Sequence, residues 1–321
     1  MTTRLLRRKV ADFVAFGLSL VLPKRVLSDR RYFYLWEKRG FHITPIHFYY
    51  PIPDTRELGN ELWAKSSNMV GINVNEEKQL KLLELFMSKF KNEYDSFPMQ
   101  KTPVPYRYYV NNDPFESVDG EILYCMIRHF KPERIIEIGS GYSTYLSAEA
   151  VLRNKKENPN YDCKLTAVDP YPNAVLKKGF PGLSELVSKG VQDLPLTDFM
   201  KLGENDILFI DSTHISQIGS DVNYEYLEIL PRLKKGVMVH AHDIFLPAEY
   251  PKEWIQKMAW FWNEQYLLQA FLSFNESFEV LWAGSYMHLK NPDKLEKAFR
   301  SYKLMIEKWV GPGSFWIRRV R

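Results

Sequence analysis

The sequence predicts an α/β protein, a doubly wound sheet preceded by an N-terminal aromatic and helical extension, and three observations carry that prediction. Four short runs, at 134–138, 164–168, 206–210 and 236–240, are nearly continuous in Ile, Val, Leu or Phe, as strands buried on both faces of a parallel sheet are. Helical stretches alternate with them at 144–154, 182–189 and 221–233. The texture also changes near residue 118: upstream the chain is irregular and aromatic-rich, downstream the alternation begins. Residues 1–117 therefore read as an extension and 118–321 as the α/β domain.

Taken in order, the chain opens with basic residues Arg4, Arg7, Arg8 and Lys9, then an apolar stretch at 10–22 closed by Pro23. That stretch is shorter than the roughly 20 residues a spanning helix needs, and Asp12 interrupts it. Leu22-Pro-Lys-Arg-Val offers no small-residue cleavage site. Residues 1–25 keep two readings: a helix docked on its own domain, or an in-plane helix whose Lys and Arg touch anionic lipid. Three prolines at 43–54 favour extended chain, which forms a candidate wall of an acceptor pocket. A helix follows at 76–91, with Leu80, Leu83, Phe86 and Phe90 on a broad apolar face. Residues 119–130 read as an amphipathic helix that Lys131-Pro132 stops. Near the end, 278–287 and 314–320 look like two further strands.

Composition excludes several classes. With 45% hydrophobic residues the chain can bury a large core, so disorder is excluded. Its 43 Lys and Arg against 39 Asp and Glu leave a charge of +4, too small for a nucleic-acid-wrapping surface. Cys125 and Cys163 lack metal spacing and form no disulfide framework, which reads as a reducing compartment, the cytoplasm or the inner face of its membrane. Self-association is left open.

After the first run the chain reads Glu137-Ile-Gly-Ser-Gly-Tyr-Ser-Thr144. Gly139 and Gly141 allow a tight turn and a close ligand approach, and the next helix offers free N–H groups from Ser140, Tyr142 and Ser143 onward. A dinucleotide fingerprint wants a third glycine where Thr144 stands, and Glu137 suits a cofactor with a cationic amino-acid moiety better than a pyrophosphate. The second run ends at Asp169, a carboxylate at the strand terminus able to accept both hydroxyls of a ribose.

Glu137-Ile-Gly-Ser-Gly with Asp169 resembles the cofactor motifs of class I S-adenosylmethionine-dependent methyltransferases, over about residues 119–320. The resemblance implies a Rossmann-like, mostly parallel seven-stranded sheet. It also implies S-adenosyl-L-methionine as cofactor: its methionine part at the glycine turn, its ribose on Asp169, its adenine near Gln192 and Asp193. A Rossmann-like domain for another nucleotide stays as the alternative.

The run at 206–210 leads into Asp211-Ser-Thr-His214, and that at 236–240 into Ala241-His242-Asp243. These strand ends open onto one crevice. Two carboxylates and an imidazole there suit a divalent ion: oxygen donors favour Mg²⁺ or Mn²⁺, and a His ligand tilts the choice to a softer one. The pattern is similar to metal-dependent O-methyltransferases of the catechol and macrolide-sugar types. That resemblance implies Asp211 and Asp243 as metal ligands and His214 as the base that takes a hydroxyl proton; His242 is expected as the third metal-site residue, a departure from the family pair, which is normally an acid with another acid or an amide. His240 reads as a packed strand residue. The loop from Phe245 and the aromatics Trp254, Trp260, Phe261 and Trp262 read as a cover for a sugar or another ring. The expectation is O-methylation of a small-molecule or glycan acceptor. A nicotinamide-dependent oxidoreductase and a non-catalytic, membrane-associated binding protein are the competitors.

Overall fold

The computed structural model describes residues 2–21, 23–27, 29–306 and 311–321. Leu22, which closes the N-terminal apolar run, and the side chains of Arg4 and Arg8 lie outside the described residues. The chain divides into two units, Met1–Gly59 and Asn60–Arg321. In the first, helix α1 (Thr2–Val21) is followed by short turns and extended chain, and none of its described residues is buried. Among the described residues no helix is long and apolar enough to cross a membrane.

Residues 60–117, read from sequence with the extension, pack within the larger unit. Helix α2 (Glu76–Tyr94) buries Leu83, Phe86 and Phe90 in a cluster shared with α3 (Asp119–Phe130). Arg128 ties the layers together. Its guanidinium is buried and donates to Glu93 of α2 at 2.9 and 3.0 Å, and to Glu157 of α4 (Tyr142–Glu157) at 2.6 Å. Covered on several sides, α3 is buried throughout from Asp119 to Arg128 rather than amphipathic. Lys131 ends it in the left-handed region at φ 49°, where Pro132 prevents continuation.

The sheet holds seven strands: β1 (Arg134–Ile138), β2 (Lys164–Val168), β3 (Glu185–Val187), β4 (Ile207–Ile210), β5 (Met238–Ala241), β6 (Phe278–Ala283) and β7 (Phe315–Arg319). Their order is β3-β2-β1-β4-β5-β7-β6, parallel except where β7 pairs with β5 and β6. This is the mostly parallel, Rossmann-like arrangement expected. Along β4, Ile207 and Phe209 enter one apolar cluster, Leu208 and Ile210 the other. That two-sided burial explains why the runs lack polar alternation.

Two expectations fail. Residues 182–189 hold the edge strand β3 and no helix, with Thr166 opposite Glu185 and Val168 opposite Val187. Gly182 bends the segment at φ +93°, and its backbone groups then pair with β2. The run at 278–287 is strand only to Ala283. There Gly284 donates to the Ser314 carbonyl at 2.8 Å and starts a helix, Gly284–Lys290.

Candidate active site

Strand order reverses between β1 and β4, so the loops after them face one crevice at the carboxyl edge. Gly139, first residue of the β1 turn, donates to the Val168 carbonyl at 2.9 Å, and the Asp211 amide donates to the Ile138 carbonyl at 2.9 Å. Gly139 has φ +84°, and a Cβ there would stand 1.9 Å from the Asp211 carbonyl oxygen. Only glycine fits. Gly141 differs: its φ of 173° is extended backbone, and a Cβ would meet nothing within 4 Å.

Across the turn, the Ser140 hydroxyl donates to Asp169 Oδ2, and the Tyr171 amide donates to Oδ1 at 2.7 Å. Ser143 and Thr144 are buried and face inward, their hydroxyls donating to Glu137 Oε1 at 2.5 and 3.0 Å. Thr144 also accepts from the Gly141 amide at 2.9 Å, which gives the residue in the third-glycine position a capping role. Glu137 Oε2 has no hydrogen-bond partner among the described residues. Burial raises the Glu137 carboxyl to about 8, against the two hydroxyl bonds. Tyr142 is half-buried and pairs its hydroxyl with that of Tyr109 at 3.0 Å. Gln192 and Asp193 are exposed, on a turn after β3 at the same sheet edge.

The second part of the crevice is a polar cluster. His214 Nε2 lies 3.4 Å from Asp211 Oδ1 and 3.5 Å from Asp243 Oδ2. Donor atoms of these three residues all lie within 4.8 Å of one another. His214 (φ 61°) and Asp243 (φ 55°) both occupy the left-handed region, backbone strain of the kind that concentrates at functional sites. Nδ1 of His214 is 2.8 Å from Glu264 Oε2, and the Tyr226 hydroxyl donates to Glu264 Oε1 at 2.8 Å. Glu264, the first residue of helix α5 (Glu264–Leu272), is fully buried.

Burial works to lower the pKa of His214. The hydrogen bonds to Asp211 and Glu264 outweigh it and hold the imidazole well above its ordinary value. Burial likewise opposes ionisation of Asp211, yet the charge of His242 and the bond to His214 keep that carboxyl below its usual range. For Asp243 burial prevails and the shift is upward.

His242 stands apart from the three converging donors. Its Nε2 is 3.8 Å from Asp243 Oδ1, and its Nδ1 is 3.3 Å from Nε2 of His240. So the imidazole that converges with the two carboxylates is that of His214, and His242, expected in the metal site, is not part of that set. His240 is fully buried and stacks on Phe209, ring centroids 4.0 Å apart, as a packed strand residue does. Burial, then the charge of His242, drives its pKa well below normal.

An aromatic wall adjoins His214. Trp262 tilts over its ring at 4.3 Å, Trp260 stacks on Trp262 at 5.0 Å, and Trp254 meets both edge-on. Trp260 is 41% exposed, so this wall borders solvent.

Three residues of this architecture escape a reading of motifs. Glu264 lies fifty positions from His214, at the start of a helix with no other charged residue, and Tyr226 carries no pattern of its own. Asp119 reads as a first-turn acid of α3, yet it accepts from the amides of Gly313 and Ser314 at 2.9 and 3.0 Å, and its charge helps raise the pKa of His242.

Residues 136–244 match the methyltransferase domain family. An uncharacterised protein of Archaeoglobus fulgidus is 36% identical over 173 residues, which is 51% of this chain and 75% of that protein. Among solved structures, an O-methyltransferase from Bacillus cereus in complex with SAH aligns over 75% of this chain and 91% of its own, at 12% identity and a TM-score of 0.36. A SAM-dependent methyltransferase from Anabaena variabilis aligns over 80% of this chain and 100% of its own, at 11% identity and a TM-score of 0.32.

Proposed function

The chain belongs to the class I S-adenosylmethionine-dependent methyltransferases, and from that premise we propose that it methylates a hydroxyl of a sugar or another polar small molecule. One observation carries the reading: Gly139 packs against the Asp211 backbone while Ser140 bonds to Asp169, which supports reading the glycine turn and the polar cluster as parts of one site. S-adenosylmethionine supplies an electrophilic methyl on its sulfonium. Asp169 takes its ribose hydroxyls, Gly139, Ser140 and Gly141 line its methionine part, and Gln192 and Asp193 border its adenine. One oxygen of Glu137 has no hydrogen-bond partner among the described residues, which supports a role opposite a cationic ammonium.

His214 is the proton acceptor for the attacking hydroxyl. Glu264 engages Nδ1, so Nε2 is the nitrogen left to face the acceptor. Asp211 and Asp243 fit a divalent ion such as Mg²⁺ or Mn²⁺: their oxygens, with His214 Nε2, are the donor types such ions take. An ion held by Asp211 and Asp243 would lower the hydroxyl pKa and add a positive charge that favours neutral His214. The same geometry supports a second reading in which Nε2 is itself a ligand. The Trp wall supports a ring-bearing acceptor, since sugars and aromatic rings both stack on indole.

The test starts with calorimetry of S-adenosylhomocysteine binding. Asp169→Ala is expected to weaken it at least about tenfold, and unchanged affinity removes the ribose assignment. Labelled cofactor incubated with sugar and small-molecule fractions then identifies the acceptor. With that acceptor, EDTA and Asp211→Ala are both expected to abolish transfer; full turnover in EDTA removes the metal. A metal titration of His214→Gln separates base from ligand, because only a lost ligand weakens the ion.

A further inference from the structure

We infer that α1 is an amphipathic helix that lies in the plane of an anionic lipid surface. Three observations carry this, all within the first unit. At 100° per residue, Val10, Phe13, Val14, Phe16, Leu20 and Val21 share one broad face of α1, with Lys9 on it between Phe16 and Leu20, while Ala11, Asp12, Ala15 and Ser19 share the opposite one and Leu18 borders that side next to Ala11. The apolar face is open: Phe13 is 78% exposed and Val21 77%. None of the described residues of Met1–Gly59 is buried, so this unit offers the helix no core of its own.

Charge decides what covers the face. The helix carries Arg4, Arg7, Arg8 and Lys9 against a single acid, Asp12, and no acid lies in its first turn. A second copy would bring an identical basic cluster against or near this one. An anionic bilayer instead attracts the cluster and takes up bulky Phe and Leu side chains without requiring shape complementarity. The width of the face agrees, since a coiled-coil partner needs only a narrow two-in-seven seam. Basic residues in the stretch and the hydroxyl of Ser19 also fit a helix lying at the headgroup level. No described helix is apolar enough to span.

The test is flotation of the full chain with vesicles of phosphatidylcholine plus phosphatidylglycerol, against phosphatidylcholine alone, with sedimentation velocity run in parallel. The chain is expected to float with the anionic vesicles and to be released by salt or by neutral lipid. Phe13→Ser with Phe16→Ser should cut the bound fraction about tenfold, and Ala15→Ser on the polar face should leave it unchanged. Unaltered S-adenosylhomocysteine binding in each variant shows that the larger unit is intact. No flotation, or flotation that the double variant leaves intact, overturns the inference. So does a dimer in sedimentation that the double variant dissolves, which assigns the face to self-association. None of these outcomes depends on which acceptor is methylated.

Discussion

Nδ1 of His214 faces Glu264 Oε2 at 2.8 Å, and the same carboxylate holds the Tyr226 hydroxyl on its other oxygen. A buried acid with one oxygen on an imidazole fixes both the ring's orientation and the nitrogen that carries the proton. Glu264→Gln removes a negative charge that supports the imidazolium, so the pKa of His214 should fall. A base must be neutral to act, so the acid limb of the kcat–pH profile should move to lower pH. The plateau should drop about tenfold as basicity is lost. Tyr226→Phe should move the limb less and in the opposite direction, because losing a donor leaves the carboxylate more basic. A limb that stays in place in Glu264→Gln removes His214 from proton transfer.

The two glycines of the turn should respond differently to a methyl group. Gly139→Ala forces a Cβ onto the Asp211 carbonyl at a positive φ, and should cost about 3 kcal/mol or more of stability in a denaturant titration. Gly141→Ala meets open space on extended backbone, so its stability should stay within about 0.5 kcal/mol of the parent. If Gly141 lines the methionine part of the cofactor as proposed, affinity should nonetheless fall, because the added methyl stands where the cofactor would lie. A Gly141→Ala protein that binds S-adenosylhomocysteine normally places the cofactor elsewhere.

Burial raises the carboxyl of Glu137 to about 8, from an ordinary 4.5 in the unfolded chain. Between those values the native protein holds a proton that the unfolded chain has lost, so stability from this group is present below the unfolded value and declines as pH rises towards 8. Glu121, raised by burial to about 7, acts in the same sense. Melting curves of the parent and of Glu137→Gln from about pH 5 to pH 8 should diverge by several degrees, with the parent losing more. Parallel curves would show that Glu137 stays ionised when buried.

How far the sequence reveals this site follows from which interactions are local. The turn at Glu137–Thr144 and the strand-end acids Asp169, Asp211 and Asp243 are legible because each stands next to its own strand. Position alone then puts them at one sheet edge. His214 is legible as a site residue for the same reason, three positions beyond Asp211. Which imidazole joins the carboxylates is not, because that depends on the left-handed turns at His214 and Asp243. Glu264 and Tyr226 come from helices brought in by tertiary packing, and no spacing marks them. β3 was hidden for another reason: a three-residue edge strand makes one ladder only and has too few residues to show a period.

If the acceptor binds at the Trp wall as proposed, two substitutions there separate its binding from the chemistry. Trp260 is partly exposed and touches Trp254 and Trp262, whereas Trp262 lies on His214 itself. If the acceptor ring stacks on the outer indole, Trp260→Ala removes binding that ground state and transition state share. KM for the acceptor should then rise about tenfold with kcat nearly unchanged. Trp262→Ala also frees the His214 ring, so kcat should fall along with the rise in KM. Steady-state kinetics on both variants check the division, and a Trp260→Ala enzyme with unaltered acceptor KM would show that the ring binds away from this wall.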